Sequence, residues 1–329
     1  MPLTRLWVAM LTRQGADTGT DSKISLSINV GGAELLNQVF PDSGQVDQES
    51  TQANLYEFNV EGTRIEPGSL TNSSVRLQIL GSDAWKPEHF FAWGEVPPRT
   101  PLQNAGIFPL VIETGITQTL STDTSEGVSS IPLRLVAKGG SGMGINRLLI
   151  LLTTEGTQED DSGIIATASP PFGTDNSLEI QIISNDRLVV LSEIRDTAQD
   201  DLEIGAANFY TMPVIFPFTK SSLSNQSITL RIKGGMDNWH PASFFLFGLD
   251  DAEGRPESIV PLVHLPEWPF GFMEPDTTNG IASVTLPLVP ENPLTGDFDP
   301  SDAVLTLRSI EAGQQQTNRL LEQLLAKLK

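Results

Sequence analysis

Apolar and polar residues alternate with a period of two along much of this chain. The segment Lys23–Val30 places four apolar residues on one face and polar residues on the other, and Val75–Ile79 and Leu178–Ile182 repeat the pattern. Successive side chains of a strand point to opposite faces, so this period predicts half-buried β-strands. Clusters of Gly, Pro, Asn, Asp and Ser separate the segments, and no helical period occurs before residue 300. The pattern predicts an all-β fold of antiparallel β-sandwiches.

The chain also repeats itself in a constant register. Three segments recur 154 residues later: Gly19–Asp21 as Gly173–Asp175, Asn54–Tyr56 as Asn208–Tyr210, and Asp83–Gly94 as Asp237–Gly248. Later matches at offsets of 152 and 153 residues extend the repeat, so that each unit has about 140 residues. One spacing shared by separate segments indicates an internal duplication.

The duplication predicts two tandem β-sandwiches, the first at residues 5–138 and the second at 147–295. The segment between them, 139–146, is rich in glycine and is typical of a flexible linker. The second unit contains an insertion near residues 155–171. We therefore expect two similar domains joined by a short tether.

Each unit has a Gly-Thr-Asp loop after its first strand and a later loop with Asp, Trp and Pro before an aromatic strand. In the first unit these loops are Gly19–Asp21 and Asp83–Glu88, and the second unit has both in the same order. The arrangement resembles the PLAT domain, also called the lipoxygenase homology domain, which is a C2-like β-sandwich. The later loop is similar to that of the clostridial alpha-toxin. The resemblance covers about residues 5–95 and 147–250, and it implies a PLAT-like sandwich in each unit.

The resemblance also implies a weak calcium site in each unit, because the two loops lie at one end of the sandwich in the PLAT family. Carried over by position, the metal candidates are Asp21 and Asp83 in the first unit and Asp175 and Asp237 in the second. Calcium takes about six to eight oxygen ligands, and two clear carboxylates per site imply weak binding. In the alternative interpretation, Asp21 and Asp175 only cap a turn through the backbone.

Trp85 and Trp239 lie in the same later loops. Members of the family use loop aromatics to enter a membrane interface, so the resemblance makes these two residues candidate interface aromatics. In the alternative interpretation each Trp closes the end of its own core.

The C-terminal segment has a different period. Asp299 and Pro300 are typical of a helix start, and a heptad seam with polar Gln and Thr layers follows. Its apolar positions are Leu307, Ile310, Leu321, Leu324 and Leu328. The spacing predicts an amphipathic helix over 300–329 that mediates self-association, with a trimer favoured by the width of the stripe, or docking to a partner. Alternatively, the helix folds back on its own sandwich.

Charge and composition exclude several classes of function. The chain has 41 acidic and 20 basic residues and a formal charge of −21, which repels a phosphate backbone and an anionic bilayer. Nucleic acid is therefore not an expected partner, and membrane contact is expected only through calcium. The absence of cysteine excludes disulfides, thiolate metal sites and thiol nucleophiles.

Nothing in the sequence points to catalysis or to a membrane anchor. A Gly-x-Ser-x-Gly elbow, a Walker loop and a His-Glu-x-x-His motif are all absent, and the only histidines are His89, His240 and His264. No secretory signal and no apolar run of membrane-spanning length is visible. We expect cytoplasmic synthesis, with export as part of a particle as one route out of the cell.

Three classes of function follow. The first is a non-catalytic structural or adaptor protein with two PLAT-like binding modules that assembles through its C-terminal helix. The second is a calcium-dependent membrane- or lipid-docking protein. The third, an enzyme of lipid metabolism, would need a catalytic domain for which the repeats leave no room. The acidity and the terminal helix favour the first class.

Overall fold

The computed structural model of the chain describes residues 1–40, 48, 50, 53–98, 105–155, 173–194, 202, 207–235, 237–250, 258–275 and 280–290. The predicted helix at 300–329, with Leu307, Ile310, Leu321, Leu324 and Leu328, lies outside these residues. Most of the insertion at 155–171 lies outside them as well.

Strands dominate the described residues. The first half contains β1 (Arg5–Thr12), β2 (Ile24–Val30), β3 (Ala33–Val39), β4 (Ala53–Asn59), β5 (Val75–Ile79), β6 (Pro87–Val96), β7 (Gly106–Thr114), β8 (Ser130–Leu133) and β9 (Ala137–Lys138). The second half contains β10 (Ile145–Thr154), β11 (Ser177–Ser184), β12 (Arg187–Ile194), β13 (Ala207–Phe218), β14 (Ile228–Lys233), β15 (Pro241–Leu249), β16 (Ser258–Leu265) and β17 (Ser283–Thr285). Short 3₁₀ turns follow β4 and β13, at Pro67–Ser69 and Lys220–Ser222.

The described strands form three sheets. Two have four strands, in the orders β3-β2-β5-β8 and β12-β11-β14-β17, and the third has nine, in the order β7-β6-β1-β4-β13-β10-β15-β16-β9. The paired strands within them run antiparallel, except β16 and β9, which run parallel. The prediction of an all-β fold built from antiparallel sheets is confirmed.

The two halves share one strand order. In the nine-stranded sheet, β7-β6-β1-β4 corresponds to β16-β15-β10-β13, and the two four-stranded sheets correspond in the same way. Tyr56 on β4 lies opposite Val8, and Tyr210 on β13 lies opposite Ile150. Residues at equivalent positions of the two halves therefore face equivalent partners.

Each half has an apolar core between its four-stranded sheet and its part of the nine-stranded sheet. Leu6, Val8 and Met10 on β1 are buried in the first core, while Leu148 and Ile150 on β10 are buried in the second. Fully burying one such side chain contributes about 1.5–3 kcal/mol. The alternating pattern thus accounts for the inward face of each sandwich.

A third apolar layer covers the other face of β1 and β10 and joins the two halves. Trp7 on β1 stacks on Trp93 on β6, with ring centroids 6.0 Å apart. Trp93 in turn contacts Phe245 and Phe247 of the second half, at 5.0 and 5.4 Å. Both faces of these central strands are buried, which explains why their sequences are nearly continuous apolar runs.

The nine-stranded sheet connects the halves on both sides of this layer. Ala53 on β4 lies opposite Ala207 on β13. On the other side, β9 pairs with β16, and the N–H of Val136 donates to the carbonyl of Leu110 on β7 at 2.9 Å. Backbone pairing therefore reinforces the apolar contact between the halves.

Residues 139–146 are held against the second half. The N–H of Gly139 donates to the carbonyl of Ile259 at 2.8 Å, and the N–H of Ser221 donates to the carbonyl of Ser141 at 2.9 Å. The glycine-rich segment is therefore hydrogen-bonded to the second half at Gly139 and Ser141.

Candidate functional site

The two candidate calcium loops of the first half are hydrogen-bonded to each other. The N–H of Asp21 donates to Oδ2 of Asp83 at 2.8 Å, and Oγ1 of Thr20 donates to the carbonyl of Asp83 at 2.9 Å. The N–H of Lys86 donates to the carbonyl of Thr18 at 3.0 Å. The loop before β2 and the loop before β6 are therefore joined by hydrogen bonds at one end of the sandwich.

The second half forms the same junction, but here Asn176 takes the place of Ser22 and its longer polar side chain joins the two loops. The N–H of Asp175 donates to Oδ2 of Asp237 at 3.3 Å, while Nδ2 of Asn176 donates to the carbonyl of Asp237 at 2.7 Å. Oδ1 of Asn176 accepts the N–H of Gly235 at 2.6 Å. The neighbouring Gly234 has a φ of 129°, and a Cβ there would lie 2.3 Å from Oδ1 of Asn176. The site therefore requires glycine at position 234.

These contacts bear on both interpretations of the aspartates. Asp83 and Asp237 each accept a backbone N–H and thus stabilise a turn, and the side chains of Asp21, Asp83 and Asp175 are exposed. Within the described part of the chain, no group of three or more His, Asp or Glu side chains could hold a metal ion. Each loop pair offers two carboxylates, which is few for calcium.

Trp85 and Trp239 are core residues, and both side chains are fully buried. Nε1–H of Trp85 donates to Oγ1 of Thr12 at 3.0 Å, and Nε1–H of Trp239 donates to Oγ1 of Thr154 at 2.9 Å. Each ring packs in the core of its own half. The interpretation as exposed interface aromatics is therefore corrected, because the loops fold inward and bury both rings.

Two of the three histidines lie near loop ends and pack on aromatic rings. His89 stacks on Phe209 at 5.3 Å, and its Nδ1 accepts the N–H of Gly115 at 3.2 Å. His240 stacks on Phe272 at 4.8 Å, and its Nδ1 lies 3.6 Å from a carboxylate oxygen of Glu155. Burial lowers the pKa of both imidazoles, and the adjacent glutamates only partly oppose this effect.

His264 belongs to the layer between the halves. Its ring lies 4.9 Å from that of Trp7 and 5.0 Å from that of Phe245, edge-on to both. Burial and, to a lesser degree, the Arg5 guanidinium lower the pKa of His264 to about 4. Nε2 of His264 is buried and has no hydrogen-bond partner among the described residues. The imidazole is thus a neutral packing element at neutral pH.

A crevice that sequence reasoning missed lies at the β11–β12 hairpin and the end of β13. Its volume is about 310 Å³, and it is lined by Ser184, Asn185, Arg187, Val189, Phe216, Pro217, Phe218, Thr219 and Ser222. The guanidinium of Arg187 lies over the ring of Phe216, 3.4 Å from its centroid. The lining therefore contains one cation, several hydroxyl groups and no carboxylate.

Among the described residues, no helix is long and apolar enough to cross a membrane. No protein-family model matches the chain, and none of the curated proteins is significantly similar to it. The likeness to PLAT domains therefore depends on the loop residues themselves.

Proposed function

We propose that this chain is a non-catalytic structural or adaptor protein. In this proposal its two halves descend from one duplicated PLAT-like sandwich and act as a single rigid body that displays binding surfaces. The observation that supports it best is the apolar layer between the halves, in which Trp7, Trp93 and Phe245 pack against one another. Because these aromatic residues are packed between the two halves, they hold the halves in a fixed arrangement, and the outer surfaces of the halves are then held at fixed positions.

The roles of the ionisable groups agree with this proposal. Among the described residues, Asp83 and Asp237 accept turn N–H groups, and His89, His240 and His264 pack on aromatic rings. A catalytic acid or base needs a geometry that reaches a substrate atom in a cleft. These side chains instead serve the packing of loops and layers.

The proposed mode of action is assembly. The helix predicted at 300–329 joins copies, in a trimer or another homo-oligomer, or docks the chain into a larger particle. Protein partners fit the charge of −21, which disfavours nucleic acid and anionic lipid.

The test is to isolate the natively expressed chain under gentle conditions, crosslink it, and identify its neighbours by mass spectrometry. The matched control is the same chain without residues 300–329. We expect the full chain, and not the truncated one, to be recovered with a stoichiometric partner or as an oligomer. Recovery of the full chain as a monomer with no crosslinked neighbour would contradict the proposal. So would turnover of a lipid, ester or glycan that one Asp or His substitution abolishes.

Calcium-dependent docking to membranes is the second candidate. It is favoured by the exposed carboxylates of Asp21 and Asp175, which occupy equivalent hydrogen-bonded loop ends in both halves. The measurement is sedimentation with anionic liposomes, with and without about 10 mM calcium. Calcium-dependent sedimentation that is lost in the double variant Asp21→Ala, Asp175→Ala and retained in Glu34→Ala would favour this candidate.

A further inference from the structure

The crevice at the β11–β12 hairpin opens into the second sandwich. It has a volume of about 310 Å³, and its lining includes Val189 and Phe218, which are buried residues of the core of the second half. Phe216 and Pro217 add to this apolar lining. Small-molecule sites in proteins are concave, mostly apolar and about 300–1,000 Å³ in volume. The crevice therefore has the size and the lining of a site for a small organic molecule.

Arg187 lies on the crevice side of its sheet and not on the outer face. It lies opposite Ser184 in the β11–β12 pairing, and residues opposite each other in a strand pair share one face of the sheet. Ser184 is buried, and its Oγ lies 2.5 Å from Oγ of Ser222, which belongs to the turn after β13. Arg187 is therefore on the face that looks toward the end of β13, where Phe216 lies.

The Arg187 guanidinium is held by its flat face. Its central carbon lies 3.4 Å from the centroid of the Phe216 ring, and only a face contact fits this separation. The N–H donors of a guanidinium lie in its plane, so the ring does not use them. Among the described residues, Arg187 forms no ion pair and no carboxylate lines the crevice. Its charged donors are therefore open to a ligand.

The hydroxyl groups in the lining are hydrogen-bonded to one another. Oγ of Ser222 donates to the carbonyl of Thr219 at 2.6 Å, so that the hydroxyl of Ser184 is the donor in its contact with Ser222. These groups are neutral, and they do not occupy the donors of Arg187. The guanidinium is therefore the group that selects the charge of a ligand.

The sandwich does not require the contact between arginine and phenylalanine. In the first half Ala33 lies opposite Val30 at the β2–β3 hairpin, as Arg187 lies opposite Ser184. Thr63 precedes the 3₁₀ turn of the first half by four residues, as Phe216 precedes that of the second half. The two halves nevertheless share one strand order. The cation and the ring are thus features that the second half has in addition to the common fold.

A single cation in an apolar crevice favours a ligand with a single negative charge. A phosphate group carries a charge of about −1.5 to −2 near pH 7, and the excess over one positive charge would face a chain with a formal charge of −21. A carboxylate carries one negative charge, and its two oxygens match the fork of a guanidinium. Val189, Phe216 and Phe218 provide apolar surface for the rest of such a ligand.

We infer that this crevice binds a small organic monocarboxylate with an apolar body, and that Arg187 pairs with its carboxylate group. This binding site goes beyond the proposed structural function and does not depend on it. It is also separate from the paired aspartate loops, because none of the described residues in its lining belongs to them.

The experiment titrates the full-length chain with benzoate, by calorimetry and by saturation-transfer NMR of the ligand. Benzamide has the same shape without the charge, and phosphate has charge without an apolar body. Two variants, Arg187→Ala and Phe216→Thr, install the residues that the first half has at these positions. Arg231→Ala is the matched control, because it removes an exposed cation from the same sheet between the inward residues Leu230 and Ile232. Circular dichroism checks that each variant is folded.

Benzoate should bind the wild-type chain and Arg231→Ala with the same affinity. Arg187→Ala should weaken this binding about tenfold or more, because a hydrogen-bonded charge pair is lost. Phe216→Thr should weaken it as well, because the ring both supports the guanidinium and covers the ligand. Benzamide and phosphate should each bind the wild-type chain about tenfold or more weakly than benzoate does.

Several outcomes would overturn the inference. Benzoate that does not bind the wild-type chain at millimolar concentration would do so, as would an affinity that is unchanged in Arg187→Ala or in Phe216→Thr. Phosphate or benzamide bound as tightly as benzoate would show that the crevice does not select a monocarboxylate. An equal loss in Arg231→Ala would mean that general electrostatic attraction holds the ligand. None of these outcomes affects the proposed structural function, which crosslinking and the truncated chain test separately.

Discussion

Replacing His264 should change how the stability of the protein depends on pH. His264 lies opposite Phe245 in the layer between the halves, and at the equivalent position of the first half Ile112 lies opposite Phe91. Burial, assisted by Arg5, lowers the pKa of His264 to about 4 from 6.5. As the pH falls, the unfolded chain therefore binds a proton at His264 well before the folded chain does. The contribution of the neutral imidazole to the free energy of unfolding is fully present above about pH 6.5, and it is lost as the pH falls from about 6.5 to about 4.

The size of this effect follows from the two pKa values. Each unit of difference is worth about 1.36 kcal/mol, so the full loss below both pKa values is about 3 kcal/mol. At about pH 5 the unfolded imidazole is almost entirely protonated and the folded one almost entirely neutral, which gives a loss of about 2 kcal/mol relative to pH 8. This is a large fraction of the stability of a typical domain.

The measurement is the free energy of unfolding in urea, taken from about pH 8 to about pH 5, for the wild-type chain and for His264→Ile. Ile is the residue that the first half has at this position, so the layer should accept it. Leu265→Met, a volume-conserving change at the next residue of β16, is the matched control. His89, His240 and Glu95 also have shifted pKa values, but they are present in every chain compared.

We expect the wild-type chain and the control to lose about 2 kcal/mol more than His264→Ile over this range. The same pH dependence in all three chains would refute the reasoning, because it would mean that the folded state accommodates a charged imidazole between Trp7 and Phe245. A variant that is less stable at pH 8 but has a flatter pH dependence would still support it, since the slope reports proton binding and not packing.

Three further predictions concern single elements of the fold. Gly234→Ala should lower the free energy of unfolding in urea by about 1–3 kcal/mol, because residue 234 has a positive φ and a Cβ there would clash with Asn176. Gly235→Ala should have little effect, because a Cβ there would make only an ordinary contact. Equal effects of the two substitutions would contradict this explanation. Thr12→Val should cost about 1–3 kcal/mol because it leaves a buried indole N–H without its acceptor, and the exposed Thr122→Val should be nearly neutral. Deleting residues 300–329 should reduce the mass in solution and leave the melting temperature unchanged, whereas an unchanged mass with a fall of several degrees would mean that the segment packs on its own half.

The strands were predictable because their signal is local. Alternation in segments such as Lys23–Val30 reports one buried face, and this face is buried in the structure. The proximity of Asp21 to Asp83 was implied by the resemblance to the PLAT family, in which the two loops lie at one end of the sandwich, and the structure shows the two residues hydrogen-bonded. Whether a carboxylate caps a turn or binds an ion depends on where nearby N–H groups point, and the pattern does not contain that information.

The burial of Trp85 and Trp239 could not be settled from the chain alone. An amphipathic ring in a loop suits a membrane interface and a core equally well, and only the path of the loop decides between them. In the structure, Thr12 and Thr154 supply the indole acceptors. These threonines are distant in sequence from the rings, so no local pattern connects them.

The sequence by itself determined the strand class, the repeat register and the inward face of each sandwich, because these depend on the order of neighbouring residues. The tertiary structure alone decided that the second face of β1 and β10 is buried, that Trp7 and His264 meet between the halves, and that β9 pairs in parallel with β16. A continuous apolar run shows that both faces are dry but not what covers them. The cover is the part of the same nine-stranded sheet that the far half of the chain contributes, and its position is set by packing complementarity over long sequence distances.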